Sequence, residues 1–196
     1  EQIARAPQAL PEVKRLDRAE VVLTLKASGI EDIAGFRWLE PPDPKALETA
    51  EQLLTDLGAL AAGKITSLGR RMLAFPVHPR YARMLLAAEE EKCVRAIALI
   101  AALTQGRSVL RRAAGKQMQS DREDFLGSDD ESDLFVLLRA FRFAEKSHFD
   151  PRRCESLGVH AGAAREAAQL WEQFLGIARA EGLDVAEREP KPDAIA

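Results

Sequence analysis

Residues 45–86, KALETAEQLLTDLGALAAGKITSLGRRMLAFPVHPRYARMLL, decide the fold. Leu47, Ala50, Leu53, Leu54 and Leu57 recur at three- and four-residue spacing, so they share one face of a helix. Asp43 is placed to cap that helix, and Pro44 suits its first turn, where the missing N–H would be unpaired anyway. Gly58 stands where a left-handed C-terminal cap is wanted. Residues 59–61 and 64–66 can then pair as two short strands across Ala62-Gly63. Pro76 and Pro79 flank a turn, and Pro79 opens a second helix with Tyr81, Met84, Leu85 and Ala88. A helix followed by a small hairpin is the second half of a winged helix.

The same stretch holds a decoy. Residues 58–65, GALAAGKI, nearly spell a phosphate-binding P-loop. That loop needs Ser or Thr after the lysine to ligand Mg²⁺, and Ile65 stands there. The context is also reversed, since a P-loop follows a strand and opens a helix, whereas this segment follows a helix and opens a hairpin.

Working outward, 196 residues suffice for one large or two small domains. Hydrophobic residues make up 46% of the chain, enough for a core, and alanine and leucine favour helix. The formal net charge of −3 excludes a uniformly basic nucleic-acid binder, so any such contact must be local. Cys93 and Cys154 make no CxxC and do not cluster in sequence with His78, His148 or His160, which argues against a disulfide framework or a zinc site. Cys93 reads as a small buried hydrophobe inside an apolar helix. No signal peptide and no membrane-length apolar run is present, so the expected location is the cytoplasm.

The expected organisation is a connector at 1–11, a winged helix at 12–88, an all-helical bundle at 89–183 and a polar tail at 184–196. In the first helix, Asp17 and Glu20 have capping-box spacing, Leu16 and Val21 can form a hydrophobic staple, Val21, Val22 and Leu25 face inward, and Gly29 ends the helix. Ile33, Phe36, Trp38 and Leu39 form a local apolar cluster in a loop, with Trp38 packing it down. The run Glu89-Glu90-Glu91 marks the boundary. Residues 92–104 are apolar nearly all round, as in a helix buried on most sides at the centre of a second domain. Residues 106–127 are polar and charged. Ser128 and Glu131 again have capping-box spacing, before a helix with Leu134, Leu137, Leu138 and Phe141 on one face and Arg139, Arg142 and Lys146 on the other. A last helix, about 162–181, carries Ala167, Leu170, Trp171, Phe174 and Ile177 and ends at Gly182. The fold class is thus mainly α: a winged helix with one small hairpin, followed by a helical bundle.

Residues 54–60 (LTDLGAL), 65–72 (ITSLGRRM), 75–80 (FPVHPR) and 82–85 (ARML) resemble the helicase-associated region of DEAH/RHA-type ATP-dependent helicases. The pattern looks most like the bacterial HrpA/HrpB-like branch. Residues 11–15, PEVKR, resemble that family's junction with its second motor domain. Farther on, Lys116-Gln117, Asp121, Phe125, Ser132-Asp133-Leu134 and Leu137-Leu138 are similar to the family's run in its ratchet-like bundle, although Arg139 and Ala140 stand where the family tends to carry Asn and an aromatic. The resemblance covers about 11–183 and implies an accessory region that braces two motor domains and closes a channel over single-stranded RNA. It also implies that ATP and Mg²⁺ belong to motor domains outside this chain.

No catalytic constellation is legible: no complete P-loop, no Asp-Glu-Ala-His motif and no Ser/His/Asp arrangement in a recognisable context. The candidate nucleic-acid contacts are Arg107, Arg111, Arg112, Lys116, Arg139 and Arg142, because cations near phosphates add salt-dependent affinity. The other reading of the same residues is a solvated face paired with adjacent acids. Two further functions stay open. One is a duplex-DNA regulator, against which the recognition-helix candidate at 45–57 sets Glu48, Glu51 and Asp56 beside a single base, Lys45. The other is a protein-docking module using the apolar loop at 33–39.

Overall fold

The computed structural model describes residues 18–111, 116–127 and 132–186, with the backbone alone for 117–119 and 123. The connector at 1–11, the Leu16/Asp17 cap, Arg112 and the Ser128/Glu131 cap lie outside the described residues, as does the tail from 187. The chain divides into two compact units, Glu1–Arg83 and Met84–Ala196.

In the first unit, α1 (Ala19–Ala27) packs against α2 (Pro44–Asp56). No side chain caps α1 at Arg18, and its inward residues are Ala19, Val22, Leu23 and Lys26 rather than Val21 and Leu25. Lys26 is the departure that matters. Only 8% exposed, it bonds through Nζ to the Glu51 carboxylate at 2.8 Å and to the Glu31 carbonyl at 2.7 Å. Both bonds go to other segments, so Lys26 fastens α1 to α2 and to the intervening loop. In that loop the Trp38 indole N–H donates to the Ile33 carbonyl at 3.0 Å and Phe36 meets Trp38 edge-on at 5.1 Å. Leu39 is wholly exposed and does not join the cluster.

The start of α2 is built as its sequence dictates, with Asp43 Oδ1 accepting from Lys45 N–H at 2.9 Å and Pro44 in the first turn. Gly58 at φ +74° turns the chain into β1 (Leu60–Ala61) and β2 (Lys64–Ile65), paired antiparallel with Leu60 opposite Ile65. Ala62 and Gly63 both take positive φ, 48° and 74°, as the tight primed hairpin turn requires. A short helix that the periodicity did not disclose follows, α3 (Ser67–Met72). Thr66 caps it, accepting from Gly69 N–H at 3.0 Å and donating to the Gly58 carbonyl at 2.7 Å. Gly69 is required where α3 meets the hairpin: a Cβ there would overlap the Ala59 carbonyl and come within 2.9 Å of Ile65 Cγ1. Helix α4 (Pro79–Glu90) begins in this unit, and the division falls inside it.

The second unit is all helical apart from one isolated bridge among its described residues. Its axis is α5 (Val94–Gln105), buried at Val94 and from Ile97 to Leu103 and packed along α9 (Ala161–Ala180). Both helices bury small residues, Ala98 and Ala101 on α5 and Ala163, Ala164, Ala167 and Ala178 on α9, which leaves room for close packing. Cys93 sits at the N-terminal boundary of α5 rather than within it, and is buried. The polar stretch after α5 contains a helix of its own, α6 (Lys116–Leu126). Helix α7 (Asp133–Lys146) is capped by Ser132, whose hydroxyl accepts from Leu134 N–H at 3.3 Å. Helix α8 (Pro151–Ser156) is capped by Asp150, and α9 by the His160 ring, whose Nδ1 accepts from Ala163 N–H at 3.1 Å. Phe141 of α7 closes the core, edge-on to Trp171 at 5.8 Å and to Phe149 at 6.3 Å.

Candidate nucleic-acid interface

The candidate cations at Arg107, Arg111, Lys116, Arg139 and Arg142 all lie in the second unit. Two of them sit on a segment clamped to the start of α9. After α5, Leu110 forms a bridge with Val159. Arg111 N–H donates to the Gly158 carbonyl at 2.9 Å, and His160 N–H donates to the Val109 carbonyl at 2.7 Å. Val109, fully buried, anchors the segment between two exposed arginines. Each arginine meets an acid: Arg107 reaches Glu166 of α9 at 3.3 Å, and Arg111 reaches Glu155 of α8 at 3.8 Å. All four side chains are more than half exposed, so these pairs are worth about 1 kcal/mol at most and yield readily to a competing anion.

Arg122 locks the arrangement from α6. Its guanidinium donates to the Arg111 carbonyl at 2.8 Å and to the Leu157 carbonyl at 3.2 Å, joining α6 to both sides of the clamp. Arg122 stands in the charged run 106–127, where no local signal marks a partner 35 residues away. Lys116 opens α6 on the exposed surface, whereas Arg139 is half-buried on α7 with its guanidinium against Gly127. Those two lie near opposite ends of α6. Arg142, one turn beyond Arg139, is exposed. The structure thus brings Arg107 and Arg111 together on one clamped segment and leaves Lys116, Arg139 and Arg142 on other elements.

The P-loop-like segment does not form a backbone phosphate cradle. The N–H groups of Gly58 and Ala59 already donate to the Thr55 and Leu54 carbonyls. Neither thiol is placed for reactivity: burial raises Cys93, with Glu91 adding to the effect, and burial also raises Cys154, with Asp150 adding and Arg165 opposing. Among the described residues no group of three or more His, Cys, Asp or Glu could hold a metal ion, and no helix is long and apolar enough to cross a membrane.

Residues 50–77, from α2 through α3 to the turn before α4, match the family described as helicase associated domain (HA2), winged-helix. Residues 78–137, from that turn into α7, match its ratchet-like counterpart. The chain belongs to the helicase-associated family of DEAH-type helicases. Its winged helix and helical bundle are the fold of that family's HA2 region. Over 89% of its length the chain is 30% identical to the ATP-dependent RNA helicase HrpA of Escherichia coli (strain K12). A further match, 29% identical over 87% of the chain, is the pre-mRNA-splicing factor ATP-dependent RNA helicase prp22 of Schizosaccharomyces pombe (strain 972 / ATCC 24843). The chain spans 14% and 15% of the length of these two relatives.

Proposed function

We propose that the chain is the accessory C-terminal region of an ATP-dependent RNA helicase, bracing its motor domains and guiding single-stranded nucleic acid through the channel. The observation that carries this reading is the order of the matches, winged helix at 50–77 and ratchet-like bundle at 78–137, in a chain whose relatives are named as RNA helicases. ATP and Mg²⁺ bind in the motor domains, and the cytoplasm is the working compartment. This chain supplies a rigid frame and cationic groups: Arg107, Arg111, Arg112, Lys116, Arg139 and Arg142. On its own it binds single strands weakly, with Kd on the order of 10⁻⁴–10⁻⁶ M, as sequence-independent phosphate contact gives.

Replacing Arg111, Arg112 and Lys116 by Gln in the intact helicase should lower RNA affinity and flatten its dependence on salt by about 2 in log–log slope, at roughly 0.7 per single-strand phosphate contact. Unchanged affinity and slope would remove these residues from the interface. A protein-docking reading is favoured by one observation, the wholly exposed Leu39 beside the Phe36–Trp38 pair. Pull-down of the motor domains by Leu39→Ser, compared with the natural chain, tests it. The duplex-DNA reading has less support, since the exposed surface of α2 carries Glu48 and Asp56 against Lys45.

A further inference from the structure

The first unit segregates its charge. Residues 20–56 hold eight acids and three bases, whereas residues 57–88 hold Lys64, Arg70, Arg71, Arg80 and Arg83 and no acid at all. The fold puts this run on well-anchored elements. Gly69 and Met72 seat α3 inward, so the adjacent Arg70 and Arg71 stand exposed. The Thr66 cap and the glycine seat at 69 fix α3 against the hairpin that carries Lys64. Arg80 is exposed in the first turn of α4, and Arg83, three residues on, shares its side of the helix. Lys64 pairs with Glu31, but both side chains are over 70% exposed, so the pair is weak. Arg70, Arg80 and Arg83 make no ion pair with a described residue. Aromatic rings lie within the same run: His78 and Tyr81, both partly exposed, meet edge-on at 6.3 Å.

We propose that this face of the first unit, formed by the hairpin, α3 and the first turn of α4, is a second binding surface for the phosphate backbone of single-stranded nucleic acid. The five cations outnumber the carboxylates beside these elements, Glu31 at Lys64 and Glu20 near Met72 and Phe75, and a polyanion relieves the repulsion that is left. Rings interleaved with cations supply the stacking that nucleic acid uses and an acidic protein surface does not. The site is separate from the arginines of the second unit and does not depend on them.

The test uses the full 196-residue chain and a fluorescein-labelled oligouridine of about twelve nucleotides, within the usual range of single-strand site sizes. Anisotropy titrations run between about 50 and about 200 mM salt. The triple variant Arg70→Gln/Arg71→Gln/Arg80→Gln should bind about tenfold more weakly at the lower salt, with a salt slope shallower by about 2. Tyr81→Leu should weaken binding severalfold and leave the slope unchanged. Gln replacement of Arg107, Arg111 and Arg142 should leave the contribution of this face intact. In the natural chain, added oligouridine should slow hydrogen exchange in α3, a readout that needs no variant. Unchanged affinity and slope in the triple variant, or no protection of α3, overturns the proposal. So does poly-L-glutamate competing as well as unlabelled oligouridine, which would assign the face to acidic proteins.

Discussion

The first unit is assembled mainly from short-range instructions, with the Lys26–Glu51 pair its long-range exception, and the second leans more on long-range ones. In the first, Asp43, Gly58, the Ala62-Gly63 turn and Thr66 each act within eight residues of where they stand. In the second, the Trp171 indole N–H donates to the Arg95 carbonyl 76 residues away at 3.0 Å, and the Arg95 guanidinium lies 4.5 Å over the same ring. Arg122 and the bridge between Leu110 and Val159 likewise join distant segments. A chain stabilised by caps and turns shows its design in the sequence. A chain stabilised by helices meeting late shows only that the helices are apolar. The two units should therefore answer differently to mutation.

The largest expected effect is in the second unit. Phe141→Ala removes a fully buried ring that touches Trp171 and Phe149, and should cost about 3–5 kcal/mol in denaturant unfolding. Hydrogen exchange should accelerate across α5, α7 and α9 together, because these helices share one core. Loss confined to α7 would mean that the bundle is less cooperative than its packing implies.

Gly69→Ala sharpens the contrast from the other side. The added methyl meets a backbone carbonyl rather than a flexible side chain, so α3 must lift from the hairpin, at about 1–3 kcal/mol. Exchange should rise locally at α3 and the hairpin. An unaltered unfolding midpoint would show that the seat is looser than described.

Arg122→Met should cost about 1–2 kcal/mol, since two carbonyls lose a charged donor while remaining partly open to water. Its signature is faster exchange at the Arg111 and His160 amides, which form the clamp. Arg107→Gln lies at the small end, below about 0.5 kcal/mol, because its pair with Glu166 is exposed. A cost above 1 kcal/mol there would make the pair structural and remove Arg107 from the pool of cations available to phosphate.

The same distinction explains what could be read without coordinates. Helix α2, its Asp43 cap, the Gly58 turn, the hairpin and the long apolar or amphipathic helices α5, α7 and α9 were legible, because each carries its own period or cap. Helix α3 was not, since its inward positions are Gly69 and Met72, too few in six residues to show a stripe. The burial of Lys26 was illegible because its partners, Glu51 and the Glu31 carbonyl, become neighbours only when α1 meets α2. Helix α6 hid in a charged run. Within the candidate interface, sequence named the cations but not their settings. That Arg111 is clamped and Arg139 turned onto Gly127 depends on backbone from other elements.

The central claim is that this region holds RNA for motors it does not contain. The most direct measurement compares single-stranded RNA affinity of a motor-bearing helicase with residues 18–186 present and deleted, at fixed salt, with the region then supplied in trans. The account predicts that deletion weakens RNA binding at least tenfold and that the added region restores part of it. Equal affinity with and without the region would contradict the account.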